Sequence, residues 1–205
     1  MKKAGCSDER TAHSVQVADL ALEIGEEMER QGIKVDKELI EKGALLHDIG
    51  YVRSTMQPIE IPEYKTIGLK IPAFYDLVRH QQVGAQMITE MGFSKPVALI
   101  ALRHDAILLT NDERRKLRIE PVPDDDMITK TFEESAVLYA DMLVFLRAVG
   151  LSPWSDMKLV RERFSPITRY VSVAAYDQTL QEKLMARIEE RLHEARKYLR
   201  KEFVA

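Results

Sequence analysis

Helical periodicity runs through almost the whole chain, and four of its five histidines fall on the apolar side of that period. His13 is spaced by threes and fours with Val17, Leu20, Ala21, Ile24 and Met28. His80 shares a side with Val83, Gly84, Met87 and Met91, and His104 with Val97, Ile100, Ala101, Ile107 and Leu108. His47 lines up with Leu39, Gly43 and Leu46, and Asp48 follows it at once in His47-Asp48-Ile49-Gly50. A fold that buries these stripes also buries their imidazoles. A buried polar group is costly unless paired, and a metal ion is one partner that satisfies several imidazoles together.

Glycine and proline act as punctuation between the periodic segments and set the expected elements. Helices are expected over 8–31, with Ser7 or Asp8 as cap, and over 36–49, ended by Gly50. A loop-rich stretch follows over 51–72, with Pro58, Pro62 and Pro72; it is the longest irregular segment and a candidate substrate-facing or lid element. Further helices are expected over 73–91 with a break near His80, over 94–109, over 131–149 and over 155–164, the last bracketed by Pro153 and Pro166. The segment 110–128 reads as polar and irregular, with Pro121, Pro123 and Asp124-Asp125-Asp126. A final helix spans 174–203, where Leu180, Leu184, Ile188, Leu192 and Leu199 form one stripe. That stripe reads as a packing face in preference to a dimer contact. No alternating strand pattern is present, so the expected class is all-α.

Composition narrows the partners. A net charge of −3 creates no strong field toward nucleic acid or an anionic membrane. The single cysteine, Cys6, rules out an internal disulfide and any zinc site built on several cysteines. No apolar run approaches the length of a membrane span, and Met1-Lys2-Lys3-Ala4-Gly5-Cys6 has no apolar stretch behind it. A cytoplasmic protein is the expectation.

Singly, each inward histidine has an ordinary explanation. His13 can be a core residue bonded to a carbonyl, and His47 can be a surface residue at a helix C-terminus, where a cation is favoured. Asp141 adds a lone carboxylate amid Val137, Leu138, Met142, Val144 and Phe145. Jointly, five helices would each bury an unexplained ionisable group, and one metal centre accounts for all of them. His193 lies in the charged run Arg191-Leu192-His193-Glu194 and is read as solvated.

The ordered set His13, His47-Asp48, His80, His104 and Asp141 resembles the HD-domain superfamily of metal-dependent phosphohydrolases, and its members with this four-residue string in particular. The resemblance covers about 8–147 and implies an HD-domain helical bundle over 8–150, with additional C-terminal helices over 151–205 packed on the same domain. It implies one divalent ion on His13, His47, Asp48 and Asp141. Members with two further histidines often hold a second ion, here on His80 and His104 with Asp48 as bridge. His80-Gln81-Gln82-Val83-Gly84-Ala85 is similar to the family's third-histidine motif, and also to the small helical hydrolases of diadenosine tetraphosphate. Many relatives carry lysine after the four-residue string, where this chain has Tyr51. The doubled histidine and distal Gly-Tyr-Pro of the cyclic-dinucleotide branch are absent, since Asp105 follows His104.

The resemblance implies hydrolysis of a phosphomonoester, phosphodiester or phosphoanhydride in a nucleotide-type substrate. Asp48 is the expected catalytic residue, orienting the attacking water or accepting its proton. Mixed nitrogen and oxygen donors suit iron, manganese, nickel, cobalt or zinc better than magnesium. Arg53, Arg79 and Arg103 lie near the ligands in sequence and are candidate phosphate contacts. A homodimer is compatible with the pattern. The competing reading is a non-catalytic metal or nucleotide sensor on the same scaffold; retention of the full residue set favours an enzyme.

Overall fold

The structure is a computed structural model describing residues 5–54, 56–105, 109–120 and 122–200. Of the sequence expectations, Ile107, Leu108, Pro121 and the end of the last predicted helix lie outside these residues. Among the described residues the chain is all-α, with nine α-helices and one two-stranded ribbon.

α1 (Asp8–Arg30) starts where the Ser7 hydroxyl accepts from the Arg10 N–H, with Asp8 and Glu9 in its first turn. Its buried stripe runs through Val17, Leu20, Ala21, Ile24 and Met28. α1 packs along α2 (Lys37–Leu46) and α7 (Phe132–Ala148). α2 stops three residues short of expectation. His47 is its C-cap, Asp48 leaves the helix at φ −97°, ψ 8°, and a 3₁₀ turn follows over Ile49–Arg53.

The expected break at His80 is present: α3 (Phe74–Leu77) ends and α4 (His80–Glu90) begins at His80 itself. Arg114 holds the break open, donating from Nη1 to the Val78 carbonyl at 2.5 Å. Arg114 belongs to α6 (Asn111–Lys116), a helix inside the segment expected to be irregular. Thr110 and Glu113 form a reciprocal capping box at its start. α5 (Lys95–Arg103) starts after Ser94 with Pro96 in its first turn, as expected, and ends at Arg103, short of the expected 109.

The loop-rich 51–72 segment holds a short ribbon and a 3₁₀ turn, and its residues Tyr51, Leu69, Lys70, Ile71 and Pro72 line the cavity described below. β1 (Ile59–Glu60) pairs antiparallel with β2 (Lys70–Ile71), Ile59 opposite Ile71. The 3₁₀ turn between them sends the buried Tyr64 hydroxyl to the Arg163 carbonyl, 2.6 Å away. α8 (Met157–Ala174) runs through Pro166, which was expected to end it. An interior proline costs about 3 kcal/mol. Burial of Val160, Phe164, Ile167 and Val171 on one face offsets that.

α9 (Leu180–Ala195), with Leu199 just after the 3₁₀ turn Arg196–Tyr198, buries the predicted leucine stripe within this chain. That decides for packing over pairing. Residues of α8 and α9 share one apolar core with α1, α2 and α7. No helix of the described residues is long and apolar enough to cross a membrane.

Candidate metal centre and adjoining cavity

Three histidines reach the centre from helix ends by one repeated device. His47 and His104 are the C-caps of α2 and α5, where carbonyls lack intrahelical partners. Each turns Nδ1 back to the carbonyl three residues earlier: His47 to Ala44 at 2.6 Å and His104 to Ala101 at 2.8 Å. His80, opening α4, does the same to Leu77 at 2.8 Å. A carbonyl only accepts, so Nδ1 carries the proton and Nε2 presents a bare lone pair. The helix-end role expected of an unremarkable His47 is thus the device that aims it.

The six residues converge. His13 Nε2 lies 3.1 Å from Asp141 Oδ1 and 3.5 Å from Asp48 Oδ2. His47 Nε2 lies 3.6 Å from the same Asp48 oxygen and 3.7 Å from Asp141. On the other side, His80 and His104 lie 3.6 and 3.5 Å from Asp48 Oδ1. Asp48 therefore turns one oxygen to each pair of imidazoles.

Three overlapping triads have donor atoms within 4.8 Å of one another: His13 with His47 and Asp48, His47 with His104 and Asp141, and Asp48 with His80 and His104. The donor set fits divalent ions on its chemistry. His47 and His13 approach Nε2 to Nε2 at 3.3 Å, and His80 and His104 at 3.1 Å. Lone pairs facing at that range need a cation or a proton between them.

Charge follows the same arithmetic. Burial pushes His47 down, and burial reinforced by His104 lowers His80 to about 3. Burial opposes charge on His104 too, but the Asp48 hydrogen bond and the Asp48 and Asp141 charges outweigh it, raising it to about 9. Burial likewise opposes ionisation of Asp48; His47, His104 and Arg10 overcome it and hold the carboxylate well below its usual range.

The backbone approach that creates the second half of the centre depends on Gly50. A Cβ there would lie 1.9 Å from the His80 carbonyl oxygen and 2.7 Å from the Gly84 N. Gly50, expected as the end of the second helix, also makes room for α4.

The three arginines expected near phosphate point elsewhere. Arg53 pairs with Glu90 on the surface at 2.7 Å. Arg79 stacks on Tyr75, 4.5 Å from its ring. Arg103 is buried against Glu134 at 2.6 Å and donates to the Asp126 carbonyl at 2.7 Å. The cation at the centre is Arg10, 2.6 Å from Asp48 Oδ2. It lies 4.1 Å from the Tyr51 ring centroid, and Tyr51 stacks on His80 at 4.1 Å and 13°. The available sequence signal was its spacing: Arg10 is one helical turn before His13.

The centre forms the floor of a cavity of about 250 Å³. Lys70 and Pro72 of the ribbon segment, Asp105, Phe145 of α7 and Phe164 of α8 also line it. The buried Gln81 amide holds Asp105 at 2.9 Å.

Comparison with known proteins agrees with this architecture. The HD domain family model matches residues 10–135, more than half of the chain. The chain belongs to that family, which is one of metal-dependent phosphohydrolases. Uncharacterized protein MJ0778 of Methanocaldococcus jannaschii is 34% identical over 140 residues, covering 68% of this chain and 69% of that protein. A tRNA (cytidine(56)-2'-O)-methyltransferase of Picrophilus torridus is 27% identical over 60% of this chain and 30% of the enzyme. That of Thermoplasma volcanium is 30% identical over 69% of this chain and 33% of the enzyme. The chain thus spans about a third of either methyltransferase. Among solved structures, the HD domain of L. monocytogenes phosphodiesterase PgpH is 19% identical, with a TM-score of 0.46 and 89% of each chain covered. Its complex with cyclic-di-AMP scores 0.45 at 20% identity, covering 89% of this chain and 88% of that one. A likeness at this level bears on neither activity nor ligand.

Proposed function

We propose that this protein hydrolyses a phosphoester or phosphoanhydride bond of a small nucleotide-type substrate at a mono- or dinuclear centre. The observation that carries the reading is Asp48, with one carboxylate oxygen toward His13 and His47 and the other toward His80 and His104. In this reading His13, His47, Asp48 and Asp141 would hold one divalent ion, and His80, His104 and Asp48 would hold a second. Iron, manganese, nickel, cobalt or zinc suits the donor set.

When bound, such ions act as Lewis acids toward a phosphoryl oxygen and lower the pKa of water toward about 7. The chain supplies the rest. Asp48, held ionised by His47, His104 and Arg10, orients the attacking water. Arg10, already held over the site by Tyr51, offers a fork to a phosphoryl oxygen. The carbonyl bonds of His47, His80 and His104 fix their tautomers before any ligand arrives. Phe164 and Ile167 of α8, beyond the 8–150 segment proposed as the HD domain, complete the cavity. The methyl transfer named for the two longer relatives is not carried over.

Protein purified without added metal, then reconstituted with each ion, tests the reading. Metal content is measured alongside phosphate release from nucleoside monophosphates, dinucleoside polyphosphates, cyclic nucleotides and a chromogenic phosphodiester. Metal-dependent turnover is expected. Less than about a tenth of an equivalent of metal, with no gain on reconstitution, overturns the centre. Metal uptake without turnover on any of these substrates moves the protein to the sensor class.

A further inference from the structure

The cavity has two unlike halves. Its floor is ionic, and its wall is apolar: Val144, Phe145 and Ala148 of α7 face Phe164 and Ile167 of α8, with Ile71 of the ribbon beside them. Floor and wall are joined by α7. Asp141, Val144, Phe145 and Ala148 follow one another at helical spacing along one side of it, so the apolar strip extends about 10 Å from Asp141. The aromatic part of the wall is packed in place. Phe145 and Phe164 lie 5.1 Å apart, and Tyr64 backs Phe145 at 6.3 Å.

Polar groups entering this half would lose water without finding a side-chain partner on these residues. A flat ring or a short hydrocarbon would lose nothing and would gain contact. The volume of about 250 Å³ also lies below the roughly 300–1,000 Å³ typical of drug-sized ligand sites. A neighbouring cavity of about 320 Å³ shares Arg10, Tyr51, Lys70 and Pro72 with the first, so these residues stand between the two.

We infer that the site takes a phosphomonoester with one flat or apolar organic group, and that Phe145, backed by the buried Phe164, reads this group by shape alone. A nucleotide would then be read by the face of its base and not by the edge. The inference rests on the phosphohydrolase reading above and narrows it to monoesters with a single flat or apolar group. Dinucleotides fall outside it.

Binding of non-hydrolysable phosphonates to the metal-loaded protein tests the inference by calorimetry. Phenylphosphonate is expected to bind at least about ten-fold more tightly than methylphosphonate. Hydrolysis of the four common nucleoside 5'-monophosphates is expected to differ by less than about three-fold in kcat/KM. Ala148 is exposed at the rim, so Ala148→Trp should fold normally. It should weaken phenylphosphonate about ten-fold or more and leave methylphosphonate unchanged. Equal binding of the two phosphonates overturns the inference while leaving the hydrolase reading intact. So does a more than ten-fold preference for one base, or tighter binding of a cyclic dinucleotide than of any monophosphate. Failure of every phosphonate and of inorganic phosphate to bind sinks the hydrolase reading itself.

Discussion

α5 and α7 each contribute to two clusters of buried charge, and the clusters behave differently. Arg103 of α5 meets Glu134 of α7 at 2.6 Å. One residue on, His104 meets the central cluster, to which α7 also sends Asp141, seven residues beyond Glu134. In the first cluster donors and acceptors balance. The Arg103 guanidinium also reaches the Asp126 carbonyl, and the second Glu134 oxygen accepts from the Lys130 and Thr131 N–H groups. In the central cluster Nε2 lone pairs face one another across about 3 Å. Burial of charge is common to both. What separates scaffold from site is whether the hydrogen bonding closes without a further cation.

Breaking each cluster in turn should therefore give opposite results, and these are the largest effects expected. Asp48→Asn keeps the shape and removes the shared charge. Phosphate release should fall about 10³-fold and bound metal should disappear. Glu134→Ala leaves Arg103 buried and unpaired, which should cost about 3–5 kcal/mol, while the folded fraction keeps its metal. The double replacement Arg103→Met with Glu134→Leu should restore most of that loss. Loss of metal in folded Glu134→Ala protein would erase the distinction between the clusters.

The same contrast explains what could be read from the sequence. The inward histidines were visible because an apolar stripe makes an ionisable residue conspicuous. The arginines were not, because nearness in sequence is a poor guide on a helix. Arg79 and Arg103 immediately precede His80 and His104, and adjacent helical residues diverge by about 100°. When the histidine faces inward, its neighbour faces away. Arg10 precedes His13 by three residues, so the two project on one side.

The helix ends were misplaced for related reasons. His47 and Asp48 continue the apolar period of α2, but only by leaving the helix can they aim at one point. α6 is too short for periodicity to reveal it, although Thr110 and Glu113 carry a capping-box signature. Pro166 was read as a stop because propensity ranks it so; the buried face of α8 overrides that rank.

Gly50 tests whether the central cluster is one unit or two half-sites. In Gly50→Ala the new Cβ would sit 1.9 Å from the His80 carbonyl oxygen, so α4 must recede. Overpacking of this kind costs about 1–3 kcal/mol. The shift should fall on His80 and spare His13, His47 and Asp141, which come from other helices. Calorimetric titration should show one ion bound about 10–100-fold more weakly and the other nearly unchanged. Equal weakening of both would mean that Asp48 couples the halves too tightly to be treated separately.

The smallest effect is set by protons standing where ions would go. An ordinary histidine titrates near 6.5. His104, raised to about 9 in the metal-free protein, contributes stability that is complete below about 6.5 and is lost as pH rises through about 9. His80, lowered to about 3, contributes above about 6.5 and loses that contribution as pH falls toward 3. The pair thus makes the metal-free protein most stable near pH 6.5. An ion in the His80–His104 half must displace the His104 proton, so its apparent affinity rises with pH up to about 9. The gap in thermal midpoint between metal-loaded and chelated protein should therefore widen from pH 6.5 to pH 9, by about 2–4 °C for each kcal/mol of added binding. A gap that is constant or narrows over this range would show that no proton occupies the ion's place, and that the facing imidazoles are held apart by packing alone.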